Sequence, residues 1–162
     1  YGHKGIVQLL LNYPDKNIEL SARNDGGWTA LMEACYNGHK DVVQLLLDNS
    51  ERIELNARNN YGQTPFMMAC RSGRKDVVKL LLNYPDKNIE LSAKDNHGQT
   101  ALMLAGQNGH NDVVQLLLLE HLNQRNVGKF CMYCGQEVCV QIIPEDSHIK
   151  NIVVCDDCLF QE

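Results

Sequence analysis

Hydrophobic positions recur in short blocks along the chain, and polar stretches rich in Asn and Asp separate these blocks. Leu-Leu-Leu stands at 9–11, 45–47, 80–82 and 116–118. Around it, apolar residues keep an i, i+3, i+4 spacing, which predicts an amphipathic helix with one buried face. The predicted faces are Val42, Leu45 and Leu46; Val77, Leu80 and Leu81; and Val113, Leu116 and Leu117. Another helical block precedes each of these, as with Leu31, Ala34 and Cys35.

Other markers repeat in register with the leucines. Gly-His-Lys at 2–4 returns at 38–40, as Gly-Arg-Lys at 73–75 and as Gly-His-Asn at 109–111, with offsets of 36, 35 and 36 residues. Gly38, Gly73 and Gly109 suit the end of the first helix of each pair. Thr29, Thr64 and Thr100 stand where a helix N-cap is needed, and Pro65 suits a first helical position. One such helix pair cannot bury its apolar face alone, so the repeat predicts a stacked solenoid.

This pattern resembles the ankyrin repeat, with its Thr-Pro-Leu-His-like helix start, its Gly-His between helices and its leucine-rich second helix. Residues 25–59, 60–95 and 96–126 match whole repeats, and residues 1–24 match the second half of another. The resemblance therefore implies an all-α solenoid of about 3.5 helix-turn-helix repeats over residues 1–126. One departure is that Met32, Met67 and Met103 replace the family's usual histidine.

The resemblance also implies a function, because ankyrin repeats bind other proteins through their hairpin tips and inner helices. We therefore expect a protein–protein interaction scaffold, or adaptor, whose partner the sequence does not name. Carried over by position, the expected contact residues are Asp25, Trp28, Tyr36, Asn37, Asn60, Tyr61, Gln63, Arg71, Asn96, His97, Gln99 and Gln107. Trp28 is the only tryptophan. We expect Trp28→Ala and Tyr61→Ala to weaken partner capture without lowering the melting temperature, unless these aromatic rings merely pack against neighbouring turns.

Composition and charge narrow the partner class. The formal net charge is −5 and the basic residues are scattered singly, so a nucleic-acid partner is not expected. No apolar run approaches the roughly 18 residues that span a bilayer, so no membrane partner is expected either. The seven cysteines favour a reducing, intracellular compartment, the cytoplasm or the nucleus. The chain starts within a repeat at Tyr1, which suggests a piece of a longer protein.

No catalytic residue is predicted in the repeats. His3, His39 and His110 could act as ligands or bases, but they recur at one repeat position, where the family uses a histidine structurally. No phosphate loop, paired-carboxylate site or Ser/His/Asp order is present. We therefore expect a chain that is not an enzyme and takes no small-molecule substrate.

After residue 126 the repeat stops and cysteines cluster. Cys131 and Cys134 form one Cys-x-x-Cys pair, and Cys155 and Cys158 form another. Two such pairs predict one structural zinc ion held by four thiolates, because each pair can grip one side of a tetrahedral ion. The β-prone segments 138–143 and 152–154 predict a hairpin between the pairs, so residues 127–162 resemble a zinc ribbon. Free thiols or two disulfides are the alternatives.

Two further alternatives concern this tail. A RING domain, as found in ankyrin-containing ubiquitin ligases, needs eight ligands for two zinc ions. Adding Cys139 and His148 to the four cysteines gives six, so a substrate-recruiting component of a ubiquitin ligase with a degenerate RING-like tail is the secondary prediction. The zinc module could either cap the last repeat or be tethered independently.

Overall fold

The structure is a computed structural model, and it describes residues 2–13, 18–84 and 89–124. The described residues form seven α-helices, a 3-10 turn at Ser50–Arg52 and no strand. The helices are α1 Lys4–Leu11, α2 Ala30–Asn37, α3 Lys40–Leu47, α4 Pro65–Arg71, α5 Lys75–Leu82, α6 Ala101–Gln107 and α7 Asn111–Gln124. The predicted succession of a first and a second helix in each full repeat is confirmed.

Threonine caps fix where the first helix of each pair begins. Thr29, Thr64 and Thr100 each have extended backbone, and each hydroxyl accepts a hydrogen bond from the backbone N–H three residues later at 3.3 Å. The cap satisfies one of the donors that a helix start leaves open. The N-cap role predicted for these threonines is confirmed, as is Pro65 at the start of α4.

A left-handed glycine separates the two helices of each pair. The φ angles of Gly38, Gly73 and Gly109 are 79°, 68° and 74°. Glycine takes this conformation without the steric cost that a Cβ atom imposes. The chain therefore ends the first helix and starts the second within three residues, and the two helices pack on each other in the α2–α3 and α4–α5 pairs.

The helices form two layers. The first helices α2, α4 and α6 pack on one another in sequence, and α1, α3 and α5 form the second layer. The predicted apolar face of the first helix is confirmed, because Leu31, Ala34 and Cys35 are all buried.

The prediction for the second helix is confirmed at Val42 and Leu46 but not at Leu45. In α3 the buried residues are Val42, Val43, Leu46 and Leu47, while Leu45 is half-buried. The reason is that α3 packs against its own first helix and against both neighbouring second helices, α1 and α5. The buried face is therefore wider than a single i, i+3, i+4 stripe and is centred closer to Val43.

Residues 1–118 form one compact unit, and residues 119–162 belong to a second unit, of which only the end of α7 is described. In the first unit, α1 exposes side chains that its counterparts bury: Ile6 is 57% exposed, whereas the equivalent Val42 is 8% exposed. Across the described ranges, no helix has the length and apolar character needed to cross a bilayer. The predicted zinc ribbon at residues 127–162 lies outside the described residues.

Candidate partner-binding surface

The hairpin tips at residues 24–28, 59–63 and 95–99 share one construction. The side-chain oxygen of the first residue, which is Asn24, Asn59 or Asp95, accepts hydrogen bonds from the backbone N–H groups two and four positions later, at 2.9–3.0 Å. The first residue also donates its own N–H to the carbonyl of the fifth at 3.0–3.1 Å. Side chains of Asn and Asp are suited to this role because they reach their own backbone two residues on. Each tip is thus held rigidly by its first residue.

Neighbouring tips are hydrogen-bonded to each other. The Asn60 N–H donates to the Gly26 carbonyl at 3.1 Å, and the Asn60 side-chain amide donates to the Asp25 carbonyl at 2.9 Å. One repeat later, the Asn96 N–H donates to the Tyr61 carbonyl at 3.0 Å, and its side-chain amide donates to the Asn60 carbonyl at 3.0 Å. Asn60 and Asn96, predicted as partner contacts, therefore have their amide groups committed to joining the repeats.

The other predicted contact residues differ in exposure. Trp28 and Gln99 are half-buried, and Gln63 is buried, with 4% of its surface exposed. The remaining predicted residues all lie exposed on the tips or on the first helices: Asp25, Tyr36, Asn37, Asn60, Tyr61, Arg71, Asn96, His97 and Gln107. All the predicted contact residues except Gln63 are therefore at least partly accessible to solvent.

Three side-chain pairs, here called the bracing pairs, connect each tip to the last turn of its first helix. The rings of Trp28 and Tyr36 meet edge to face with centroids 5.4 Å apart. At the equivalent positions, a guanidinium nitrogen of Arg71 donates to the Gln63 side-chain oxygen at 3.2 Å. In the last pair, the Gln99 amide donates to the Gln107 oxygen at 2.7 Å. The same two positions, eight residues apart, pair in each full repeat, while the side chains change from two aromatic rings to an amide with a guanidinium and then to two amides.

Trp28 also packs on the core. Its ring lies against the buried cluster of Met32, Ala57 and Met68, so it joins its own first helix to the next repeat. This packing changes the expectation for Trp28→Ala, because truncation would remove core contacts and lower the melting temperature. Tyr61 is different, since 57% of its surface is exposed. Of these two aromatic residues, only Trp28 packs against this buried cluster.

Gln63 is buried between two charged groups, Arg71 at the end of its own first helix and Asp95 at the start of the next hairpin tip. Its amide nitrogen lies 3.3 Å from a carboxylate oxygen of Asp95, and its oxygen accepts from Arg71. Burial by itself would raise the pKa of Asp95, but hydrogen bonds from the Gln99 N–H, the Gln63 amide and the His97 N–H, together with the charge of His97, hold that pKa below its usual range. Asp95 was not among the predicted residues. The sequence signal for it is that Asp95 stands at the repeat position where Asn24 and Asn59 stand in the other tips, so that an acid replaces an amide.

The recurring basic position at the start of the second helix has a structural role. A ring nitrogen of His110 lies 3.0 Å from the Arg71 carbonyl, and the Arg74 guanidinium donates to the Tyr36 carbonyl at 2.9 Å. Both bonds reach back to the end of the preceding repeat's first helix, where carbonyl groups lack helical partners. The structural role expected for the recurring histidine therefore agrees with the contact of His110, whose ring bonds to a carbonyl of the preceding repeat.

Cys35 and Cys70 are fully buried, and desolvation raises the pKa of both thiols, that of Cys70 further through the proximity of Cys35. A buried thiol with a raised pKa is a poor nucleophile and a poor metal ligand. Within the described ranges, no three His, Cys, Asp or Glu residues group closely enough to hold a metal. The four predicted zinc ligands, Cys131, Cys134, Cys155 and Cys158, lie outside those ranges.

Comparison with known proteins gives two findings. Residues 1–59 and 52–130 match a family model described as ankyrin repeats, in three copies. Among curated proteins, the chain is 52% identical over 46 residues to the probable E3 ubiquitin-protein ligase XBOS33 of Oryza sativa subsp. japonica, which covers 28% of this chain and 8% of that protein.

Two further relatives have matches of the same kind. The E3 ubiquitin-protein ligase XBAT33 of Arabidopsis thaliana is 50% identical over 46 residues, 28% of this chain and 8% of that protein. The ankyrin repeat and SAM domain-containing protein 6 of Mus musculus is 42% identical over 48 residues, 29% of this chain and 5% of that protein. The matched segments thus span less than a tenth of these relatives' length.

Proposed function

This chain belongs to the ankyrin-repeat family, and on that premise we propose that it is a non-catalytic scaffold that holds a partner protein on its hairpin tips and inner helices. The observation that carries the proposal is the contrast between constant and variable positions. The capping threonines and left-handed glycines recur in the three full repeats, whereas the outward positions vary: Tyr36 is replaced by Arg71 and Gln107 on the first helices, and the tip position of Tyr61 holds Gly26 and His97 in the other repeats. Recurrence serves the fold, and variation at exposed sites suits recognition.

The absence of catalysis is part of this proposal. The residue types that carry out chemistry elsewhere have structural surroundings in the described repeats. His110 is bonded to a backbone carbonyl, and Cys35 and Cys70 are buried thiols with raised pKa values. These surroundings support a surface that binds without reacting.

The test uses two tyrosines matched in exposure. Tyr61 is 57% exposed on a tip, and Tyr13 is 58% exposed after α1, away from the tips. Partners captured by the full chain are purified, and their binary affinities for the two variants are measured by calorimetry. We expect Tyr61→Ala to weaken binding by about tenfold or more, as a truncated hot-spot aromatic does, and Tyr13→Ala to leave it unchanged. Equal affinities for both variants and the parent chain would argue against tip-mediated binding.

We further propose that residues 127–162 form a separate module that binds one structural zinc ion through Cys131, Cys134, Cys155 and Cys158. The donor set supports this proposal, because four thiolates in two Cys-x-x-Cys pairs suit a closed tetrahedral site and leave no open position for catalysis. Metal analysis of the purified chain should give one zinc per molecule, and Cys155→Ser should lower that content. A metal-free chain whose tail gives the same circular dichroism with and without zinc would exclude the module.

A second candidate function is substrate recruitment within a ubiquitin ligase. The observation that favours it is that relatives matching the repeats carry the name E3 ubiquitin-protein ligase, although each match covers 28% of this chain. Two zinc ions per chain and ubiquitin transfer in a reconstituted assay would support this candidate. One zinc and no transfer would leave the scaffold as the better account.

A further inference from the structure

The side-chain chemistry of the bracing pairs changes from one repeat to the next. The Trp28–Tyr36 pair offers aromatic edges, the Gln63–Arg71 pair offers a cation, and the Gln99–Gln107 pair offers neutral amides. Because these pairs occupy equivalent positions in successive repeats, a segment lying across the first helices meets all three chemistries in order. Arg71 is the only cationic member of the three pairs.

The orientation of Arg71 is set by groups beneath it. A carboxylate only accepts hydrogen bonds and a guanidinium only donates them, so the Gln63 amide between Asp95 and Arg71 must point its nitrogen at Asp95 and its oxygen at Arg71. Gln63 is buried, and Asp95 is itself fixed by two backbone N–H groups. One edge of the Arg71 guanidinium is therefore tied to a rigid network.

The rest of that guanidinium is available. Arg71 is exposed, and Gln63 is the sole side-chain partner of its guanidinium among the residues that the structure describes. Asp95, the carboxylate at the other end of the network, is buried and separated from Arg71 by the Gln63 amide. An arginine held along one edge keeps a planar donor fork that matches a carboxylate, and less side-chain entropy is lost when the fork is already oriented.

We propose that Arg71 is a carboxylate anchor for an extended segment of the partner protein, and that an apolar side chain of the same segment packs on Trp28 and Tyr36. This inference rests on the proposed scaffold function and specifies the chemistry of what is held. Packed helices lie about 8–10 Å apart and an extended chain advances about 3.3 Å per residue. The acidic and apolar residues of the partner segment are therefore about three positions apart.

The experiment pans a phage library of random peptides against the full chain. We expect enriched peptides to share an Asp or Glu about three positions from a Leu, Ile, Met or aromatic residue. A representative peptide is synthesised with a fluorophore, and its affinity is measured by polarisation. Arg71→Ala should weaken binding by about 10- to 100-fold, the range for loss of hydrogen bonds to a charged group.

Two controls isolate the contact. Lys79→Ala removes the same charge from an exposed position on α5, in the other helix layer, and should change the affinity less than twofold. A peptide in which Gln replaces the acidic residue should bind the parent chain as weakly as the acidic peptide binds Arg71→Ala, and should lose little more on that variant. Such coupling identifies the arginine–carboxylate pair itself.

The outcomes separate this inference from the function beneath it. If peptides bind and respond to Tyr61→Ala but not to Arg71→Ala, the carboxylate anchor is overturned and the scaffold proposal stands. If no enriched peptide responds to any tip or bracing-pair variant, both fail. Equal weakening by Arg71→Ala and Lys79→Ala would mean that only the overall charge matters, which also overturns the anchor.

Discussion

Two glycines at equivalent tip positions allow the contact between neighbouring repeats to be weighed. Gly62 and Gly98 have φ angles of 75° and 76°, so alanine at either position must adopt the left-handed conformation. That conformation costs an L-residue roughly 1–2 kcal/mol. The surroundings differ: a Cβ on Gly62 would lie 2.9 Å from the Asn96 backbone nitrogen and still closer to the Asn96 side-chain oxygen, whereas a Cβ on Gly98 meets no described atom within 4 Å.

The difference between the two variants therefore measures the inter-repeat junction. Asn96 must move to admit a Cβ at Gly62, and it donates two hydrogen bonds to the preceding tip, to the Tyr61 and Asn60 carbonyls. Each such bond contributes about 0.5–1.5 kcal/mol net. We expect Gly98→Ala to lower the free energy of unfolding by about 1–2 kcal/mol. Gly62→Ala should lower it by about 1–3 kcal/mol more.

Urea unfolding followed by circular dichroism at a helix-sensitive wavelength provides the measurement, with both variants fitted against the parent chain. Gly27→Ala serves as a replicate of Gly62→Ala, because its Cβ would meet Asn60 in the same way, 2.6 Å from the side-chain oxygen. If Gly62→Ala and Gly98→Ala proved equally destabilising within about 0.5 kcal/mol, the asparagine junctions would contribute nothing and this reasoning would be refuted.

Three further predictions concern single side chains. Thr64→Ala removes a buried N-cap and should lower the free energy of unfolding by about 1 kcal/mol, measured in urea. Tyr84→Phe should lower it by about 0.5–1.5 kcal/mol, because the Tyr84 hydroxyl donates to the Leu47 carbonyl at 2.7 Å, whereas Tyr13→Phe, in an identical sequence segment, should have no effect. The pKa of Asp95 is lowered in the folded chain, so its carboxylate stabilises the fold at pH values above the unfolded-state pKa of about 3.9. This stabilisation is lost as the pH falls through the lower folded-state pKa. Asp95→Asn should therefore flatten the acid limb of the stability–pH profile, and an unchanged limb would contradict the assignment.

The elements of the repeat could be predicted from sequence because their determinants are local. A capping threonine acts on an N–H three residues away, and a left-handed glycine acts on its own backbone. Such features are encoded within a few positions, so a single sequence with a clear period reveals them.

The surface could be predicted only by position, because its geometry depends on neighbouring repeats. Trp28, Gln63 and Gln99 are equivalent in sequence, yet Gln63 is buried and the other two are half-buried. Gln63 is also hydrogen-bonded to Asp95, which lies 32 residues away at the start of the next hairpin tip. The shifted face of α3 has the same origin, since residues on α1 and α5 decide which of its positions are covered. The repeat period of the sequence therefore does not by itself predict the contacts between neighbouring repeats.

The side-chain hydrogen bonds that join repeats have a consequence for how the chain acquires its structure. These bonds join positions 31–39 apart, as from Arg23 to Arg58 and from Arg58 to Lys94. Each repeat can consequently fold once one neighbouring repeat is in place, without contacts between distant parts of the chain. Folding can therefore spread from repeat to repeat in either direction. Amide hydrogens of α3 and α4, each of which packs against a neighbouring repeat on both sides, should therefore be the last to exchange with solvent deuterons, and those of α1 the first.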